Sequence, residues 1–313
     1  MSNESRVAGW VDPELYPFPG RRVQVGGHDV HYVDTGHPSG SGDSAPTMLL
    51  LHGNPTWSFV YRGLIAALCG EVRCVAPDLP GFGLSVPAPG FKGSFAEHAD
   101  AVQGFVEALD LREVVAVGQD WGGPIGLRLV GRQPERFAGV VLGNTWAWPV
   151  DGDPHFARFS TVMGGPLGAL LIRRLNLFVN LMVPMGHRRR RLPRAEMAHY
   201  RRALATPARR HLSAVLPRQI VAASAELAAL ADGLSGLRHL PVLIVWGDRD
   251  MAFRTKELER WREEVPGAKV EIVAGAGHFV QSDAPEEVAS HLRAWLREHL
   301  DLEGRTRPAG GQR

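Results

Sequence analysis

A carboxylate set in a glycine-bounded turn is the first feature of this sequence that carries chemistry. Asp120 lies within Gly118-Gln119-Asp120-Trp121-Gly122-Gly123. The apolar, β-branched run Val114-Val115-Ala116-Val117 precedes it, and a helical stretch, residues 124–132, follows. Strand, sharp turn and helix together make a nucleophile elbow. Glycines at 118 and 122 leave room for a turn that larger side chains would crowd, and the central residue is held out at the top of the sheet. Serine is the usual occupant. An aspartate there can attack carbon directly and form an ester. The N-terminus of the following helix, with its unpaired N–H groups and positive dipole end, is expected to keep Asp120 ionised. Alone, the same residues also read as an ordinary strand-to-helix turn with an aspartate cap.

Two further residues argue for the elbow. His278 sits in Gly275-Ala276-Gly277-His278-Phe279, just past the last apolar strand, and Asp250 sits in Trp246-Gly247-Asp248-Arg249-Asp250, just past the strand before it. Open α/β sheets form their sites at the carboxyl ends of strands. Nucleophile, acid and histidine then follow one another in the chain order of triads on such sheets. Asp248 competes for the acid role. Asp250 is favoured because the loop needs a few residues to reach the histidine, and Asp248 is expected to tie down the turn.

His52-Gly53-Asn54-Pro55 follows another apolar strand. In this arrangement that loop supplies one backbone N–H of an oxyanion hole, and the residue after the nucleophile supplies the other. These are Asn54 and Trp121, whose side chains carry an amide and an indole donor as well. Two donors beside a nucleophilic carboxylate suit a leaving group that departs as an anion and needs no proton, such as a halide. The plainer readings are a turn residue for Asn54 and a packing aromatic for Trp121.

The elements that must position these residues can be read from periodicity. Residues 22–25 and 30–33 alternate and predict an antiparallel hairpin turned at residues 26–28. Strands are predicted at residues 47–51, 72–76, 114–117, 139–142, 242–246 and 269–273. Helices are predicted at residues 59–68, 124–132, 225–234, 255–265 and 284–299. Ser94 and Glu97 form a capping box that opens another helix, running to about Leu109. Asp283 and Glu286 read as a second capping pair. Strands alternating with helices predict an α/β fold, a mostly parallel eight-stranded sheet flanked by helices. The rhythm breaks once, after Trp146. The division predicted is a core over residues 1–145, an inserted helical cap over 146–224, a second part of the core over 225–300, and a disordered tail over 301–313.

Composition is compatible with several function classes and favours few. The chain has 313 residues, 44% of them apolar, and a formal net charge of +2. That is ample for a core, and nothing in the bulk charge asks for nucleic acid or a membrane. No apolar leader or run of transmembrane length is evident, which makes a cytoplasmic protein the expectation. The only cysteines, Cys69 and Cys74, read as small buried residues in a reduced protein. Arginines at 188–191, 194, 201, 202, 209 and 210 lack the aromatic and glycine interleaving of RNA-binding motifs. They read as a solvated helix face or a contact in a homo-oligomer.

With those residues in place, the sequence resembles the haloalkane dehalogenases of the α/β-hydrolase superfamily. The resemblance rests on His52-Gly53-Asn54-Pro55-Thr56-Trp57-Ser58, on residues 78–83, on Gln119 to Gly123 and on Gly277-His278-Phe279-Val280-Gln281. It extends into the predicted cap through Phe156-Ala157-Arg158, Val183-Pro184-Met185-Gly186, Glu196-Met197-Ala198-His199-Tyr200 and Pro217-Arg218-Gln219-Ile220. It covers residues 16 to 300. It implies Asp120 as nucleophile, His278 as base, and Asn54 with Trp121 as the halide-binding pair. Phe178 and Pro217 are implied to line the halide pocket, with Phe156, Met182 and Phe279 as further wall residues. A small apolar halogenated substrate, water and a halide product are implied, with no cofactor and no metal. The largest subgroup places its triad acid as a glutamate past the strand at 139–142. Here that position reads Gly143-Asn144-Thr145, so the resemblance is to a subgroup with an Asp-His-Asp triad, and the acid is Asp250.

Epoxide hydrolases are the main rival. They use two cap tyrosines to protonate an alkoxide, and residues 146–224 contain one, Tyr200. A fluoroacetate dehalogenase would carry an arginine pair after the nucleophile, where Trp121-Gly122 stands. Asp120 itself excludes a serine esterase. A catalytically idle binding module fits poorly with an intact nucleophile, acid, base and donor pair.

Overall fold

The computed structural model describes residues 8–39 and 45–300. The predicted tail lies outside those residues, as do residues 40–44. Eight strands form one sheet in the order β1-β2-β4-β3-β5-β6-β7-β8. They are β1 (Gly20–Val25), β2 (His28–Asp34), β3 (Thr47–Leu51), β4 (Arg73–Pro77), β5 (Val114–Gln119), β6 (Phe137–Gly143), β7 (Val242–Gly247) and β8 (Lys269–Val273). The first two pair as the predicted hairpin, β2 meets β4 antiparallel, and every later pairing is parallel. Strands β3 and β5 are buried at every position, as their unbroken β-branched and leucine runs require of a sheet covered on both faces.

The helices are α1 (Arg62–Leu68), α2 (Phe95–Ala108), α3 (Gly122–Arg132), α4 (Pro154–Gly164), α5 (Pro166–Leu175), α6 (Leu177–Met185), α7 (Arg194–Ala203), α8 (Pro207–Ala222), α9 (Ser224–Asp232), α10 (Thr255–Glu264), α11 (Val280–Asp283) and α12 (Pro285–His299). The capping box of α2 forms: Glu97 N–H donates to Ser94 Oγ at 3.3 Å, and Ser94 N–H to Glu97 Oε2 at 3.0 Å. Six helices, α4 to α9, lie between β6 and β7. Among them α4, α5 and α8 pack on one another, and α9 returns to pack on α3. No single helix among the described residues is long and apolar enough to cross a membrane. Cys74 is buried in β4 and Cys69 half-buried after α1, and both thiols are free.

Two expectations change. Asp283 does not cap α12, whose N-cap is Ala284 with Pro285 in the first turn. Its carboxylate instead accepts N–H groups from Gly277 at 2.9 Å, Arg188 at 2.8 Å, Arg189 at 3.0 Å and Arg190 at 3.2 Å. Four donors converging on one carboxylate fix the loop before α7 against the loop that carries His278. The run at 188–191 is therefore not a solvated helix face. It is loop, with Arg190 paired to Glu196 at 2.8 Å and Arg189 paired to Glu287.

Candidate active site

Five neighbouring parallel strands each end in a residue of one cluster. Asn54 follows β3, Asp120 follows β5, Asn144 follows β6, Asp250 follows β7 and His278 follows β8. The elbow is built as the glycines require. A Cβ on Gly122 would drive into the Leu51 carbonyl, and one on Gly118 would lie 2.5 Å from the Gly122 carbonyl oxygen. Asp120 itself takes φ +52°, a left-handed conformation that costs an ordinary side chain of order 1–3 kcal/mol and is held by its surroundings. Thr145 Oγ1 donates to the Asp120 carbonyl at 2.7 Å, and Asp120 N–H donates to the Asn144 carbonyl at 3.2 Å. Asp120 Oδ1 accepts the Asn54 backbone N–H at 2.8 Å.

Burial pushes the Asp120 carboxyl above its ordinary value. His278 and the N–H groups of Trp121 and Asn54 oppose that shift, and Asp250 adds to it. The net direction is upward, so the helix N-terminus does not by itself settle the charge of Asp120. His278 moves up as well. Burial alone would lower it, but the Asp250 carboxylate and then Asp120 outweigh burial.

His278 Nδ1 lies 2.9 Å from Asp250 Oδ2, and Nε2 lies 3.7 Å from Asp120 Oδ2. Asp250 is the carboxylate at the histidine. Asp248 is exposed, and its Oδ1 instead accepts the Gly275 N–H at 2.6 Å, tying the turn to the next loop. Asp250 is held on both oxygens: Oδ1 accepts Ala252 N–H at 2.7 Å and Oδ2 accepts Asn144 Nδ2 at 2.9 Å.

A cavity of about 220 Å³ opens over Asp120. Asn54, Trp121, Asp250 and His278 line it, as do all five predicted wall residues, Phe156, Phe178, Met182, Pro217 and Phe279. Trp121 is 2% exposed and packs edge-on against Trp146 at 4.7 Å. Its indole N–H has no protein acceptor among the described residues. Tyr200 is fully buried and does not line the cavity, so no tyrosine of residues 146–224 reaches a leaving group there. Among the described residues, no group of three or more His, Cys, Asp or Glu side chains is placed to hold a metal.

An α/β-hydrolase fold family model matches residues 46–285. Haloalkane dehalogenase 2 of Mycobacterium tuberculosis is 43% identical over 283 residues, which cover 90% of this chain and 96% of that protein. The chain belongs to the haloalkane dehalogenases. The crystal structure of a putative ancestral haloalkane dehalogenase superposes with a TM-score of 0.79 at 28% identity, covering 89% of this chain and 98% of that one. A cis-3-alkyl-4-alkyloxetan-2-one decarboxylase of Shewanella oneidensis is 29% identical, over 94% of this chain and 93% of that protein.

Within this dehalogenase chain, three contributors escaped the sequence reading. Asn144 read only as a missing carboxylate, yet it braces Asp250 and accepts the Gly247 N–H at 2.8 Å. Gln119 Nε2 lies 3.0 Å from His278 Nε2 and donates to the His278 carbonyl at 3.1 Å. A carboxylate at Nδ1 can only accept and an amide nitrogen at Nε2 can only donate. Together they select the neutral tautomer with its lone pair at Nε2, the one a base needs. Ser213 of α8 meets the Asn54 side chain. The position of Gln119 beside the nucleophile was the one available signal among the three.

Proposed function

We propose that this chain hydrolyses haloalkanes to an alcohol and halide through an ester of Asp120, with residues 146–224 closing the cavity as a cap. The observation that carries the reading is a strained, half-buried carboxylate facing a mostly apolar cavity, where Asn54, Trp121, His278 and Asp250 gather beside it and His155 is the one other polar side chain in the lining. Asp120 attacks the halogen-bearing carbon in line. The C–halogen bond breaks, and the halide leaves into the Asn54 and Trp121 side-chain donors without needing a proton. His278, in its Nε2-acceptor form, takes a proton from water, and the hydroxide adds to the carbonyl carbon of the ester. The oxyanion meets the backbone N–H groups of Asn54 and Trp121. The bond between the Asp120 acyl carbon and the alkyl oxygen cleaves, the imidazolium of His278, supported until then by Asp250, gives its proton to the departing alcohol, and loss of the remaining water-derived proton to solvent restores the carboxylate.

The test is halide release from 1-bromobutane and 1,2-dibromoethane. Trp121→Phe should lose about 10²-fold or more in rate, by analogy with loss of an oxyanion-hole donor. Full activity in that variant would sink the donor pair.

The relative from Shewanella brings a second reading. In a four-membered lactone, Asp120 attack at the oxygen-bearing ring carbon frees a carboxylate, another anion that needs no proton. Loss of CO₂ then moves the C–C electron pair into an alkene and expels Asp120, with no water consumed. Alkene and CO₂ produced continuously by His278→Phe would favour this reading; an enzyme that stalls without His278 favours hydrolysis.

A further inference from the structure

Pro217 lies inside α8. A helical N–H donates to the carbonyl four residues earlier, and proline has none to give. The carbonyl left without its helical donor is that of Ser213. Ser213 is fully buried, where a bare carbonyl is costly. Asn54 Nδ2, across 159 residues of sequence, donates to that carbonyl at 3.0 Å. The Ser213 hydroxyl in turn donates to Asn54 Oδ1 at 2.7 Å. One serine thus grips both ends of one amide.

That grip decides a question shape cannot. The two ends of an asparagine amide are nearly the same size, and only hydrogen bonds choose which one faces the cavity. With Oδ1 committed to a hydroxyl donor, it cannot turn to an anion in the cavity, which it would repel. One Nδ2 hydrogen goes to the Ser213 carbonyl, and the second stays free. We propose that Ser213, with its carbonyl released by Pro217, is the positioning residue that makes Asn54 an anion donor and couples anion affinity to the docking of α8 on the core. This rests on the halide reading of Asn54 and adds the unit that orients it. The coupling is reciprocal: an anion held by Asn54 favours the docked position of α8, and displacement of α8 weakens the anion.

The experiment is bromide binding followed by quenching of tryptophan fluorescence in wild type, Asn54→Ala, Ser213→Ala, Ser213→Thr and the double variant Asn54→Ala/Ser213→Ala, each first shown to be folded by its thermal melt. Ser213→Ala should weaken bromide roughly tenfold, the worth of one well-placed hydrogen bond. Ser213→Thr keeps the hydroxyl and should bind as wild type does. In the Asn54→Ala background the serine change should add nothing, because the amide it orients is gone. Unchanged affinity in Asn54→Ala would overturn the halide reading itself. Loss in Asn54→Ala with none in Ser213→Ala, or equal losses from Ser213→Ala with and without Asn54, would overturn the positioning role alone.

Discussion

Asp120 and His278 face each other at 3.7 Å, and each alters the proton affinity of the other. Burial lowers His278, but Asp250 and Asp120 together raise it above the ordinary imidazole value. In the proposed mechanism His278 is the base, and a base works only when neutral, so ester hydrolysis should rise as pH rises through the pKa of His278. Esterification removes the negative charge of Asp120 and with it one of the raising influences. The pKa of His278 in the alkyl-enzyme should therefore lie below that in the resting enzyme. Titrating the ring by NMR in the resting protein, and following the pH dependence of ester hydrolysis in rapid-mixing experiments, gives the two values. The kinetic one is expected to be the lower, and equality or the reverse order would contradict the coupling. On the proposed mechanism, the first half-reaction would thereby prepare the base for the second.

At the scale of elements, the strand ends divide the work. Asp250→Ala should reduce turnover severely, since the imidazolium then loses its carboxylate. Asp248→Ala should cost far less, because Asp248 holds only the turn at Gly275. Asn144→Ala should lower kcat while leaving KM near wild type, because Asn144 braces Asp250 and does not line the cavity. Steady-state kinetics of the three variants separate these roles, and equal losses at 248 and 250 would contradict the division. The parts of this scheme legible in the sequence were those that repeat. Apolar runs, unbroken in β5 and β7 and alternating in β8, each followed by a candidate site residue, marked those strands and what they carry. Side-chain contacts at long range left no such trace. A serine within α8 reads as any helical serine until the fold brings Asn54 to it. Asp283 matched a capping pattern by spacing, yet Gly277 N–H and three N–H groups from the distant loop at 188–190 claim its carboxylate. The rise of the Asp120 pKa was equally hidden, because burial depends on walls contributed from several elements.

The whole molecule carries an acid weakness outside the site. His98 of α2 is fully buried between Phe82 at 5.9 Å and Phe91 at 5.0 Å, and neither ring nitrogen has a partner among the described residues. Burial, then His52, lower its pKa to about 3, with Glu97 opposing and His28 adding a little. In the unfolded chain the ring titrates near the ordinary value of about 6.5. Between those values the unfolded state binds a proton that the folded state refuses. Stability is whole above the unfolded value and falls as pH drops toward the folded one. His187, lowered to about 4 by burial, acts in the same direction. Melting temperature should fall as pH is lowered from 6.5 to 4, and His98→Phe should flatten that fall. An unchanged slope in the variant would remove His98 from the account.

The central proposal is that Asp120 is a nucleophile whose own carboxyl becomes the ester, and not a general base. A single turnover with enzyme in excess over 1,2-dibromoethane in ¹⁸O-water, followed by mass spectrometry of the peptide containing Asp120, tests it directly. Hydroxide adding to the Asp120 carboxyl carbon puts the heavy oxygen into the aspartate, and the first alcohol leaves with an unlabelled oxygen. Label in the first alcohol, with none in Asp120, would mean that water attacks the alkyl carbon and that no covalent intermediate forms.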